Sequence, residues 1–171
     1  MPNPESGGTG FHVVYGLQKM LGEETFKALT ANMVMTESYR SLAPAVASGE
    51  YVVSPIYEAA PLEYIDGGQT EIKMVYPKDG VLINVELAGV VKNAPNGDAG
   101  RKVIDTLLSK EVQTQLLVDR FRRPVRSDIR ISEHLDLPEL DDIVIFRFDE
   151  LEAASQRAEV LEAFRLLPKA D

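Results

Sequence analysis

Apolar positions recur along this chain at two spacings, and the changes between them mark out its elements. From about Thr9 to Leu21, the residues Phe11, Val14, Tyr15 and Leu17 fall roughly on one face of a helix that Gly22 stops. Glu23-Glu24 open a second short helix through Leu29, their charges suiting its positive end. Met33-Val34-Met35 reads as a short strand, and Ser38 to Ser41 as a polar loop. Ser41 is placed to cap a helix running to Ser48, with Pro44 in its first turn and Gly49 at its close. Tyr51-Val52-Val53 predicts a strand, Glu58 to Ile65 a helix, and Ile72 to Tyr76 a further strand before the turn Pro77-Lys78-Asp79-Gly80. Leu82 to Lys92 predicts a long strand that Asn93-Ala94-Pro95-Asn96-Gly97 breaks.

The second half is more helical. Ala99 to Leu108 and Glu111 to Asp119 form an expected helix pair with Ser109 as the cap between them, and Val103, Ile104, Leu107 and Leu108 make an apolar stripe. A long connection from Phe121 to Pro138 carries Arg122, Arg123, Arg126 and Arg130, which resemble a phosphate patch but are expected to pair with acids or touch another surface. Ile143 to Phe146 predicts a strand and Asp149 to Leu167 one final amphipathic helix. Strands alternating with helices predict an α/β fold, a sheet with helices on its faces.

Composition narrows what such a fold can do. The 171 residues suffice for one ordinary domain. A net charge of −9 argues against nucleic acid and against an anionic membrane surface as partners. No apolar run approaches the roughly 18 residues of a membrane span. Cysteine is absent, which removes disulfides and thiolate chemistry. Met1-Pro2-Asn3-Pro4-Glu5 has neither the basic nor the apolar region of a signal peptide, so none is expected within these residues. His12 and His134 are too isolated for a metal site, and no Ser-His-Asp spacing, HExxH, P-loop or Rossmann fingerprint is present. Nothing in the sequence argues for an enzyme.

Candidate binding chemistry concentrates at Ser6-Gly7-Gly8-Thr9. An extended segment there meets a helix start, glycines permit close backbone approach, and two hydroxyls add donors. One reading is an oxyanion or carboxylate held on the helix N-terminus; the other is a plain helix cap. A second candidate is the Ser38-Tyr39-Arg40-Ser41 loop, where Arg40 would clamp phosphate or carboxylate, or simply be solvated.

Four stretches, in order, resemble one family. Pro2-Asn3-Pro4-Glu5-Ser6-Gly7-Gly8-Thr9-Gly10-Phe11 looks like the opening of the second lobe of type II periplasmic solute-binding proteins. Ala45-Val46-Ala47-Ser48-Gly49-Glu50-Tyr51, Leu107-Leu108-Ser109-Lys110-Glu111-Val112-Gln113 and Arg123-Pro124-Val125-Arg126-Ser127-Asp128 resemble later stretches of the same proteins, Ser127 replacing a proline. The tail from Ile143 to Phe164 is similar to the family's closing strand and helix. The subgroup resembled serves ABC importers of iron(III), phosphonates and related solutes.

The resemblance implies two α/β lobes with mixed sheets and a ligand cleft between them, of which this chain is the C-terminal half. Residues 1–88 and 140–171 are then expected to form the second, ligand-binding lobe, and 89–139 to cross back to a first lobe that is missing. It implies that the Ser38–Ser41 loop faces the cleft, with Ser38, Arg40 and Ser41 beside Ser6, Gly7, Gly8 and Thr9. Tyr57-Glu58 falls where iron-binding members place two tyrosines; the single tyrosine here favours an anionic organic solute, with iron(III) on Tyr57 and Glu58 as the alternative ligand. No resident cofactor is expected. The implied partners are a small anionic solute, the N-terminal lobe or a second copy of the chain, and a membrane permease. The implied location of the parent protein is periplasmic or extracellular. A different class of reading is an interaction module that dimerises through the apolar face of residues 97–120.

Overall fold

The computed structural model describes residues 1, 3–5, 7–36 and 38–170. Its helices are α1 (Gly8–Leu21), α2 (Glu23–Thr30), α3 (Leu42–Ala47), α4 (Ala59–Asp66), α5 (Gly97–Leu107), α6 (Lys110–Arg120), α7 (Glu150–Ser155) and α8 (Arg157–Leu166). Single 3-10 turns cover Tyr39–Ser41, Ile131–Glu133 and Leu140–Asp142. Two short strands, β1 (Val81–Leu82) and β2 (Ile145–Phe146), pair in parallel with Val81 opposite Ile145 and Leu82 opposite Phe146. The chain forms two compact units, Met1–Asn84 with Val144–Asp171, and Val85–Ile143.

The first unit is built around α1, whose Val14 and Tyr15 are almost fully buried. Val14 packs with Met1, Phe26, Met33 and Phe164. One residue further round the helix, Tyr15 joins Phe11 and Ala153 in a second cluster, with Phe148, Val160 and Leu161 against it. The apolar stripe of α1 is therefore wide enough to serve α2 and α8 on one side and α7 on the other. Polar ties fix the same packing: Tyr15 Oη donates to Gln156 Oε1 at 3.3 Å, and Lys19 Nζ to Glu152 Oε1 at 3.1 Å. The left-handed Gly22 (φ 75°) ends α1 with its N–H on the Gln18 carbonyl, as its glycine requires.

In the second unit the core is Leu117, Ile129 and Ile131, with Leu135 and Leu137 packed against them. Ser109 caps α6, its Oγ accepting from Val112 N at 3.3 Å. The arginine-rich connection is spoken for within this unit. Arg122 pairs with Glu86, Arg123 donates to the Pro138 carbonyl, Arg126 chelates Asp128 through two bonds, and Arg130 meets Glu139. Helix α5 is different: none of its residues is buried. Gly100, Val103, Ile104 and Leu107 of α5 line one side of an open groove of about 330 Å³, with Val90 and Val91 opposite.

Several expected elements differ. Residues 51–53 and 72–76 are not strands, and the long strand expected over 82–92 is reduced to Val81–Leu82. Met33–Met35 is not a strand; a single bridge position follows at Thr36. A strand is defined by the neighbouring strand that takes its backbone hydrogen bonds, and among the described residues these segments have none: Val52 is 98 % exposed and Leu87 91 %. In place of a mixed sheet, the described residues hold one two-stranded parallel sheet. The single closing helix is broken at Gln156 into α7 and α8. Ser41 stands at the N-cap of α3 as expected, but its side chain makes no capping bond to the helix; Ser38 caps the turn before it.

Candidate solute site

Two of the segments singled out in the sequence leave the fold together. Met1 N donates to Val34 O, Thr36 N to Met1 O and Asn3 N to Thr36 O. That pattern is parallel, so the chain at Met1 and Asn3 runs in the same direction as the chain from Val34 to Thr36. The chain following each one, Gly7-Gly8 into α1 and Ser38–Ser41 into α3, therefore emerges at the same end. In open α/β folds the carboxyl end of parallel strands is where ligands bind.

At the first of these turns, Gly7 is the N-cap of α1, is extended (φ −178°) and has no side chain to cap it. Among the described residues no side chain accepts from the first-turn N–H groups of this 14-residue helix. Gly7 and Gly8 are exposed and Thr9 is half-buried. Ser6 lies outside the described residues. Below them Gly10 is buried so tightly that a Cβ there would sit 2.7 Å from Asn3 O and 2.8 Å from Pro4 Cα. The segment before the turn thus lies flush on the first turn of α1.

The second turn is internally wired. Ser38 Oγ accepts from Arg40 N at 3.2 Å, and Ser41 Oγ donates to Ser38 O at 2.8 Å. Both hydroxyls hold the turn. Arg40 is exposed, and among the described residues no carboxylate pairs with it.

Tyr39, between them, turns inward. Its ring meets Tyr57 edge-on, 5.6 Å between centroids, and its buried hydroxyl has no hydrogen-bond partner among the described residues. Burial first, and the Tyr57 phenol second, push the Tyr39 hydroxyl up to about 12. Glu58, just before α4, accepts a hydrogen bond from the Tyr76 hydroxyl. The fold thus brings Tyr57 and Glu58 to Tyr39 and Tyr76, two partners that sequence reasoning missed. No short-range signal links them, because 18 residues separate each contact. Among the described residues there is no cluster of three or more histidines, aspartates or glutamates fit to hold a metal.

One group near this end is buried and titratable. His12 is 8 % exposed, its ring centroid lies 4.9 Å from that of Phe148, its Nδ1 is 3.4 Å from Glu150, and its Nε2 has no partner among the described residues. Burial drives its pKa below the ordinary histidine value; the Glu150 carboxylate and the nearby Ile83 backbone pull the other way without prevailing. A folded pKa below the unfolded one means that the unfolded chain takes up the proton first. Stability is then full above about pH 6.5 and falls as pH drops below it, by at most about 1.4 kcal/mol per pH unit. Urea unfolding between pH 7 and pH 5 is expected to show this loss, and His12→Gln to flatten it. An equal slope in the variant would remove His12 as the source.

The profile of the bacterial extracellular solute-binding protein family matches residues 1–150. The chain belongs to this family. Membership makes this solute-binding protein a receptor for a small solute, with a membrane transporter as its partner and an extracytoplasmic place of work for the parent. No curated protein and no solved structure matches the chain. Among the described residues no helix is long and apolar enough to cross a membrane.

Proposed function

We propose that this solute-binding protein serves an ABC importer of the iron(III)- and phosphonate-type subgroup and holds a small anionic solute: a phosphonate, a phosphate ester or a carboxylate. The observation that carries the reading is the common direction of the chain at Met1 and Asn3 and at Val34 to Thr36, which points the start of α1 and the Arg40 turn out at one end. Backbone N–H groups of Gly7, Gly8 and Thr9 supply donors and the positive end of a helix. Arg40 supplies a guanidinium that engages two anion oxygens at once. The protein binds and releases its solute unchanged.

In this reading residues 1–88 and 140–171 belong to the second lobe of a two-lobed receptor, and residues 89–139 to the first. The chain is its C-terminal half, and closure of the two lobes traps the solute. Support for a further surface comes from α5, an amphipathic helix with no buried residue, which a first lobe would cover. Covering by a second copy is the competing occupant.

Titration calorimetry with inorganic phosphate, methylphosphonate and ferric citrate tests the solute class. Saturable binding of an anion that Arg40→Ala weakens about tenfold or more is the expected result. No anion binding, even with the N-terminal half added back, would sink the reading. Iron(III) is the second reading, and Tyr39 beside Tyr57 favours it by supplying two phenols where the sequence displays one. It predicts a visible phenolate-to-iron absorption band that Tyr39→Phe diminishes.

A further inference from the structure

The turn that leads into α1 carries a carboxylate, and an anion site is a poor place for one. Glu5 lies three residues before the helix, next to the Pro4 backbone that packs on Gly10. Left alone, its charge would repel any anion drawn to the start of α1. It is not left alone. Arg165, near the end of α8 and 160 residues away in sequence, takes both its oxygens: Nε donates to Oε1 at 2.6 Å and Nη2 to Oε2 at 3.1 Å. Lys169 adds a second positive charge nearby, anchored on the Phe164 and Leu167 carbonyls.

We propose that Arg165 is a positioning and charge-compensating residue for the solute site: it pins the Glu5 turn against α8 and cancels a carboxylate beside the start of α1. This rests on the anion-binding reading above. Arg165 donates two parallel bonds to one carboxylate, the geometry that gives an exposed ion pair directional strength. The guanidinium also holds the Glu5 carboxyl below the usual carboxylate range, so the pair persists through mildly acidic solution. The C-terminal helix thereby acts on affinity without touching the solute. It also explains how a chain of net charge −9 presents an anion-accepting surface at this point.

The test measures inorganic phosphate binding at low ionic strength in four proteins. Arg165→Gln is expected to weaken binding about threefold to tenfold, a loss that shrinks as salt screens Glu5. Arg165→Lys retains most of the affinity. Glu5→Gln combined with Arg165→Gln restores it, which a purely structural role would not do. Affinity unchanged in Arg165→Gln, or unrestored in the double variant, overturns the compensation. Hydrogen exchange at the Asn3 and Thr36 amides, read without phosphate, decides the positioning half: Arg165→Gln speeds it severalfold, and unchanged exchange overturns that half. Failure of the wild-type protein to bind phosphate or methylphosphonate counts against the anion-binding reading itself, while the exchange result still stands or falls alone.

Discussion

Leu117→Ala is expected to unfold residues 85–143 while residues 1–84 and 144–171 stay folded. Leu117 has no exposed surface and is the centre of a core that otherwise holds Ile129, Ile131 and two partly buried leucines. Removing three carbons from such a site costs about 2–5 kcal/mol, the lost transfer energy plus the cavity left behind. A core this small rarely supplies more than about 3–5 kcal/mol in total. The substitution therefore removes most of what holds the unit together. The first unit keeps its own buried clusters around Val14 and Tyr15, neither of which includes a residue from 85–143. Urea titration followed by circular dichroism should show two transitions in the parent protein. In Leu117→Ala the transition of the second unit should be lost or moved below 1 M urea, with the other midpoint unchanged (about 1–3 kcal/mol per molar for small units). A single transition that shifts as a whole would show that the two cores do not melt separately.

The same contrast between local and distant contacts explains what could be read from the sequence. Helices close their backbone hydrogen bonds within four residues, so the stripe of Phe11, Val14 and Tyr15, the Gly22 stop and the Ser109 cap announced α1 and the α5–α6 pair where they stand. Strands close theirs on whatever lies alongside. Val52-Val53 and Val85 to Val91 are rich in β-branched and apolar residues, but among the described residues no strand lies alongside them, and Val52, Val53, Val85, Leu87 and Val91 are exposed. Among the described residues the two-stranded sheet forms where 81–82 and 145–146 meet, and there the crowding of Gly80 (φ 130°) by Phe146 marks the junction. Composition stated a propensity; the missing partner decided the outcome.

The candidate site divides along the same line. Gly7-Gly8 before a helix and Ser38-Arg40-Ser41 before another are local signals. Their common exit is not: it depends on bonds from Met1 and Asn3 to residues more than thirty positions away. Tyr39 was hidden for a different reason. An aromatic in a polar turn resembles loop, and its buried hydroxyl follows only from the arrival of Tyr57. Glu5 and Arg165, at opposite ends of the sequence, likewise gave no sign of each other.

Gly10→Ala is the substitution expected to damage that junction most for the least change in composition. On helix propensity alone, alanine in α1 should stabilise by about 1 kcal/mol. The added Cβ, however, falls 2.7 Å from Asn3 O, 2.8 Å from Pro4 Cα and 3.1 Å from Asn3 C, all backbone atoms that cannot rotate aside. Either α1 or the segment 3–4 must move, and such overpacking costs about 1–3 kcal/mol. Moving the segment strains the Asn3 N–H bond to Thr36 O, and with it the pairing that aligns the two turns. Gly16→Ala is the control. Its Cβ would also be crowded, at 2.5 Å, but by the methyl tips of Leu82, a half-buried side chain able to change rotamer. Gly16→Ala is therefore expected to be near neutral in urea unfolding. Gly10→Ala should lower the midpoint of the first unit, speed exchange at the Asn3 and Thr36 amides and weaken phosphate binding. A stabilised Gly10→Ala with intact exchange protection would mean that the segment yields freely, and that the close approach at Gly10 plays no part in aligning the turns.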